Sequence, residues 1–183
     1  CFMMPDLLTE LVQRQKVQSV VLGALWMGYS GEKLLVEREG KRLPLNTAEG
    51  KDAFYANLED YVRRLQGEGA KVYLILGFPG PASGFNPSLM VTRSLTGFDI
   101  ARDFDKPLSV TELRAAHAAV DAKLRRIAER TGATLLDPFP DICETNESCS
   151  PLFGASEPKF SDGMHLRPIF VQEHLHFLDP LLR

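Results

Sequence analysis

Lys71-Val72-Tyr73-Leu74-Ile75-Leu76-Gly77-Phe78-Pro79 decides the fold of this chain. The run from Lys71 to Leu76 has strand length, and Gly77 to Pro79 break it sharply. An apolar run without polar alternation is buried on both faces, as at the centre of a parallel sheet. Upstream, Ser19-Val20-Val21-Leu22-Gly23-Ala24-Leu25 reads the same way and runs into Trp26. Downstream, Thr134-Leu135-Leu136 is a third, shorter strand, followed by Asp137-Pro138.

Helical spacing fills the gaps between these runs. Leu7, Leu8, Leu11 and Val12 share one face of a helix from Asp6 to about Gln15. Phe54, Leu58, Tyr61 and Leu65 predict another from about Glu49 to Gln66, ended by Gly67 and Gly69. Ser109-Val110-Thr111-Glu112 is a capping box. It opens a long helix with Leu113, Ala116, Val120, Leu124 and Ile127 inward and Gly132 just past its end. A last helix is expected from about Pro168 to the C-terminus, with Val171, Leu175, Leu178 and Leu182 on its buried side. Lys33 to Leu45 reads as a small hairpin turning near Glu39-Gly40. After Pro79 come about thirty residues without a strong period, through Asn86, Arg93 and Asp105. A loop that long in a compact domain is usually functional or mobile.

Strands that are apolar throughout and separated by amphipathic helices predict an α/β fold. The expected form is a three-layer α/β/α sandwich with a parallel central sheet, all 183 residues forming one domain. In such folds the active groups gather past the carboxyl ends of strands. Trp26, Pro79 and Asp137 hold such positions.

The polar signal that stands out is Ser161-Asp162-Gly163-Met164-His165-Leu166. A carboxylate three residues before an imidazole can accept its Nδ1–H within one turn. Nε2 is then free to take a proton from a nucleophile held elsewhere, which is the second half of a Ser-His-Asp relay. The competing reading is a solvated turn whose Asp caps the helix that follows.

Composition removes several other classes. A net charge of −3 with no Lys/Arg stripe argues against nucleic acid as a partner. No apolar run reaches the roughly 18 residues that a membrane span needs. The chain opens on Cys1, not Met, as in a processed product or an excised piece of a longer protein. A mature lipoprotein also begins with Cys, but a polar tether usually follows it, and here 5–8 enter a helix at once. Cys143 and Cys149 enclose Glu-Thr-Asn-Glu-Ser with no second Cys/His pair nearby. A zinc site needs about four ligands, so a local disulfide in an oxidising compartment such as the periplasm is the economical reading. Reduced thiols in the cytosol are the alternative. Cys1 is left without a partner. His174 and His176, two apart on a helix, point in different directions and do not form a metal pair, and His117 reads as a surface or satisfied histidine. No metal and no organic cofactor is expected.

Taken in order, these landmarks resemble the SGNH hydrolase-like domain fused to acyltransferase-3 membrane proteins, the O-acetyltransferases of bacterial envelope polysaccharides. Val20 to Trp26 looks like the strand ending in Trp of this branch. Gly69 to Pro79 is similar to its next strand and Pro loop. Asp137 through Cys143 to Cys149 resembles its Asp-then-two-Cys segment, and Asp162 to Leu166 its closing Asp-x-x-His-Leu block. The resemblance implies an SGNH/flavodoxin-like fold, incomplete at the N-terminus, with Asp162 and His165 as catalytic residues. Trp26, Pro79 and Asn86 are the candidate substrate contacts. It also implies a periplasmic location, a fused transmembrane acyltransferase domain that supplies the acyl donor, and a polysaccharide acceptor.

Two departures go with it. The family's nucleophilic Ser lies in a Gly-Asp-Ser block, and no Gly-Asp-Ser occurs here. The nucleophile is therefore expected outside this chain, since Ser30 has no strand-to-helix elbow and Ser161 is too close to His165. The oxyanion-hole Asn of the wider hydrolase family is replaced by Leu25-Trp26-Met27. A free-standing periplasmic carbohydrate acetylesterase would use the same relay. A non-catalytic polysaccharide-binding or docking domain is the reading from a different class.

Overall fold

The computed structural model describes residues 4–26, 34–79, 84–94, 97–100, 106–154, 157–162 and 165–182. In chain order the elements are α1 (Met4–Gln15), β1 (Ser19–Leu22), β2 (Leu35–Arg38), β3 (Lys41–Pro44), α2 (Ala48–Gly67) and β4 (Lys71–Ile75). There follow α3 (Pro87–Met90), β5 (Val91–Ser94), β6 (Gly97–Ile100), β7 (Leu108–Ser109), α4 (Val110–Thr131), β8 (Thr134–Leu136) and α5 (Phe139–Ile142). The chain closes with β9 (Ser148–Cys149), β10 (Leu152–Phe153), β11 (Glu157–Pro158), α6 (Pro168–His174) and a 3₁₀ turn at Asp179–Leu182. Its contacts fall into two compact units. One comprises 1–77 and 119–136, the other 78–118 and 137–183.

The first unit holds the sheet that the three apolar runs predict. Its order is β1-β4-β8 and both pairings are parallel, with Val20 opposite Val72 and Leu74 opposite Leu135. The fold is thus α/β with a parallel sheet and flanking helices. Two successive right-handed crossovers in one direction put their helices on one face of a sheet. The core agrees: Val72 and Leu74, alternate residues of β4, pack with Val62 and Leu65 of α2 and with Ile127 and Ala128 of α4. The other face is more open. Tyr73 and Ile75 are only half-buried, and Val21, which pairs with Tyr73, is 37% exposed. β1 ends at Leu22, three residues short of the expected Leu25.

The predicted hairpin is present as β2 paired with β3, and its turn uses positive φ at Glu39 (54°) and Gly40 (74°). Thr47 caps α2, its Oγ1 accepting the Gly50 N–H at 3.0 Å. Gly50 is required there by contact rather than by φ. A Cβ on it would stand 2.0 Å from the Pro44 carbonyl oxygen.

The second unit has its own core, built on Phe85, Val110, Leu113, Phe139, Ile142, Phe160 and Phe170. Three expectations need correction here. The stretch after Pro79 is not loop throughout, because it contains α3 and the antiparallel hairpin β5–β6. The inward face of α4 carries Leu113 and His117, while Ala116 is exposed. α6 stops at His174, and Val171 and Leu178 are 39% and 37% exposed while Phe170 is buried. The Asp141 carboxylate accepts the backbone N–H groups of His176 (2.6 Å) and Phe177 (2.5 Å), which fixes the chain in a non-helical path there.

Candidate functional site

Asp162 and His165 come together within the second unit. The Asp162 carboxylate grips the histidine twice. Oδ1 accepts the His165 backbone N–H at 2.8 Å, and Oδ2 lies 2.8 Å from Nδ1. An ionised carboxylate only accepts, so the ring proton belongs on Nδ1 and the Nε2 lone pair is left free. No described residue hydrogen-bonds Nε2. The two side chains are 56% and 72% exposed, so the pair stands at the surface of what is described and not in a core.

The turn is the tip of a narrow hairpin. Phe160 forms an antiparallel bridge with Leu166, and the Ser161 N–H donates to His165 O at 2.8 Å. The Ser161 hydroxyl also donates to His165 O, at 3.0 Å, so it faces a carbonyl and not the ring. Ser30, Gly163 and Met164 lie outside the described residues, as does Cys1.

Cys143 and Cys149 are placed as a disulfide, with Sγ atoms 2.01 Å apart. Both are buried in the second core. The loop they close is organised by Thr145, whose Oγ1 accepts the N–H of Ser148 at 2.9 Å.

The candidate substrate contacts are distributed differently. Trp26 belongs to the first unit, and Pro79 and Asn86 to the second. The Trp26 indole N–H is spent on the Ile75 carbonyl oxygen at 2.9 Å, so it is not a free donor for an oxyanion. Its ring forms one wall of a cavity of about 380 Å³, shared with Leu45, Phe54, Tyr55, Val120 and Lys123. Burial above all, and then the charge of Asp121, raise the Tyr55 phenol above its ordinary value. Pro79 is buried, so it shapes backbone rather than offering a surface. Asn86 is half-buried just before α3.

Three polar arrangements carry local geometry that the sequence does not mark as a set, although Asp137 alone stands in an expected place after a strand. Asp121 of α4, 7% exposed, accepts the Gly77 N–H at 2.9 Å just past the end of β4. Arg114 donates to Asp137 Oδ2 at 2.9 Å and lies 4.2 Å over the Phe139 ring, while Asp137 Oδ1 caps the Phe139 N–H. The signal for both was present in α4, where Arg114, His117 and Asp121 recur at helical spacing beside the apolar stripe. The third is Lys159, 2% exposed, which the sequence does not mark.

The remaining histidines have other partners. His174 stacks on Phe170 at 5.0 Å, His176 Nδ1 lies 3.5 Å from Asp179, and the His117 ring meets Phe139 edge-on at 6.5 Å. Among the described residues no group of three or more His, Cys, Asp or Glu is placed to hold a metal ion, and no helix is long and apolar enough to cross a membrane.

One family model matches residues 1–173 of the 183, that of the SGNH domain fused to AT3 domains. No curated protein matches the chain.

Proposed function

This chain belongs to the SGNH domains that are fused to AT3 domains, and from that premise we propose that it serves acyl-ester transfer to cell-envelope polysaccharide. The observation that carries the reading is the double grip of Asp162 on His165, at 2.8 Å to the backbone N–H and 2.8 Å to Nδ1. It fixes the tautomer that a general base needs.

In the proposed reaction a Ser hydroxyl attacks the acyl carbonyl of a donor while His165 Nε2 takes its proton. The imidazolium, steadied by Asp162, then protonates the leaving group. A sugar hydroxyl attacks the acyl-enzyme in turn, gives its proton to Nε2, and leaves as the ester with the Ser restored. No metal or organic cofactor is needed for these steps. The fused transmembrane acyltransferase domain would supply the acyl donor. We assign the domain to the periplasm, tethered to the inner membrane, where Cys143 and Cys149 can form a disulfide.

This sequence has no Gly-Asp-Ser block, so the relay assigns its Ser to a segment outside it. Within the first unit, β1 leaves room for one more strand. It is an apolar parallel strand with no described neighbour on its outer side, and Leu25 just beyond it is 47% exposed. A further parallel strand fits such an edge. The lack of a Gly-Asp-Ser block equally favours a second reading, a domain that binds polysaccharide without catalysing.

His165→Ala in the intact protein separates the two. Loss of the base in a triad typically costs on the order of 10⁴ to 10⁶ in rate. The side chain is exposed, so its removal opens no core cavity. We expect polysaccharide acylation in cells to disappear while circular dichroism stays unchanged. Near-normal acylation would refute catalysis by this pair and leave binding as the role.

A further inference from the structure

Lys159 is an unusual lysine. It is 2% exposed, whereas lysines are almost never fully buried without a partner. Its ammonium donates to the Ile142 carbonyl oxygen and to Glu144 Oε1, each at 2.5 Å, and lies 5.6 Å from the centre of the Phe170 ring. Burial holds its pKa below the ordinary 10.5, with the hydrogen bond to Glu144 pulling the other way. A desolvated cation is costly to keep in a core. Its contacts indicate what it secures.

The Lys159 backbone is tied on both sides. Its N–H donates to Pro151 O at 3.0 Å, and its carbonyl accepts the Arg167 N–H at 2.8 Å. The next rungs of the same hairpin are the Phe160–Leu166 bridge and the Ser161 N–H to His165 O bond, and beyond them is the Asp162–His165 turn. Both side chains of the pair are more than half exposed, so little core packing holds them and the backbone of the hairpin carries them. Phe160 anchors it in the core. The Lys159 ammonium anchors it to the residue before Cys143 and to Glu144 inside the loop that Cys143 and Cys149 close. That anchor is itself held, because Glu144 Oε2 accepts the Ser150 N–H at 2.7 Å.

We propose that Lys159 is a positioning residue for the Asp162–His165 pair, its buried ammonium locking the root of their hairpin to the cysteine-closed loop at 143–149. The inference rests on the reading of His165 as the general base. Displacing a reacting group by about 1 Å costs on the order of 10²-fold in rate. Loosening the root is therefore expected to lower kcat while KM, set by contacts elsewhere, stays nearly constant.

The test uses the intact protein, labelled with [¹⁵N]histidine, and two variants. Lys159→Met keeps the length and removes every donor. Glu144→Gln keeps an acceptor for Lys159 and removes the charge. We expect Lys159→Met to remain folded, to lose about 10- to 100-fold in kcat for acyl transfer, and to lose the distinct Nδ1–H signature of the His165 ring. Glu144→Gln moves both readouts the same way by a smaller factor. It also carries the test if Lys159→Met does not fold. A folded Lys159→Met with wild-type kcat and ring shifts would overturn the proposal, as would a Glu144→Gln variant unchanged in both when Lys159→Met fails to fold. The two readings also fail separately. An active His165→Ala removes the base assignment, whereas the ring shifts still report whether Lys159 sets the geometry of the pair.

Discussion

Asp162→Asn is the sharpest perturbation of the pair, because it changes the chemistry of one atom and almost none of the shape. Asp162 now offers two acceptors, Oδ1 to the His165 backbone N–H and Oδ2 to Nδ1, both at 2.8 Å. Asparagine has one oxygen and one NH₂ group. The backbone N–H cannot change role, so it keeps the oxygen and the NH₂ turns toward the ring. Nδ1 must then accept, the ring proton moves to Nε2, and the lone pair that would receive the Ser proton is gone. A tautomer reversal of this kind in a Ser-His-Asp triad costs about 10⁴-fold in rate. At 1.36 kcal/mol per tenfold, that is about 5.4 kcal/mol of lost transition-state stabilisation. The effect on folding is far smaller. Both side chains are more than half exposed, and exposed pairs are worth about 0–1 kcal/mol. The assay pairs polysaccharide acylation by the intact variant with ¹⁵N shifts of the His165 ring. Acylation within tenfold of wild type, with the ring shifts showing the tautomer reversed, would refute the reasoning.

Three further outcomes follow from the geometry. Gly50→Ala drives a methyl against the Pro44 carbonyl oxygen at 2.0 Å, so the loop before α2 must shift, and a loss of about 1–3 kcal/mol is expected from urea unfolding. Protein prepared under oxidising conditions should yield a linked 143–149 peptide in non-reducing mass mapping; two free thiols in folded protein would remove the support for the periplasm. Lys159, its folded pKa lowered by burial, binds fewer protons in the folded than in the unfolded chain as pH rises from that value toward 10.5, so this group makes stability rise with pH across the window. Lys159→Met should show a smaller rise than wild type in Tm measured over the same range.

The sequence made the sheet legible because β1, β4 and β8 are runs with a single meaning. Apolar residues without alternation belong between two packed faces, and the order in the chain then sets the parallel crossovers. The Asp162–His165 geometry was legible for a local reason, since three residues of turn bring the two side chains within reach. What escaped was fixed at a distance. α6 ends at His174 although apolar residues continue at helical spacing, because Asp141 captures the next two free backbone N–H groups. His117, four residues after Leu113, takes an inward place while Ala116 is exposed, and its ring meets Phe139 edge-on. Lys159 is invisible in sequence because a lysine between Pro158 and Phe160 has no periodic context, and only its acceptors make its burial tolerable. The hairpin β5–β6 carries no strand signal, because its four-residue strands mix Thr, Arg, Ser and Asp with few apolar residues.

The outer edge of β1 has a consequence for handling the polypeptide. Natural edge strands are guarded by charges, prolines or bulges that discourage further pairing. Ser19-Val20-Val21-Leu22 has none of these, and Val21 and Leu25 add exposed apolar surface at the same place. Among the described residues this edge has no partner, and an uncovered edge is a template for another strand, the β1 edge of a second copy included. Val21→Lys, which places a charge beside that edge, is the change expected to oppose such pairing at high concentration.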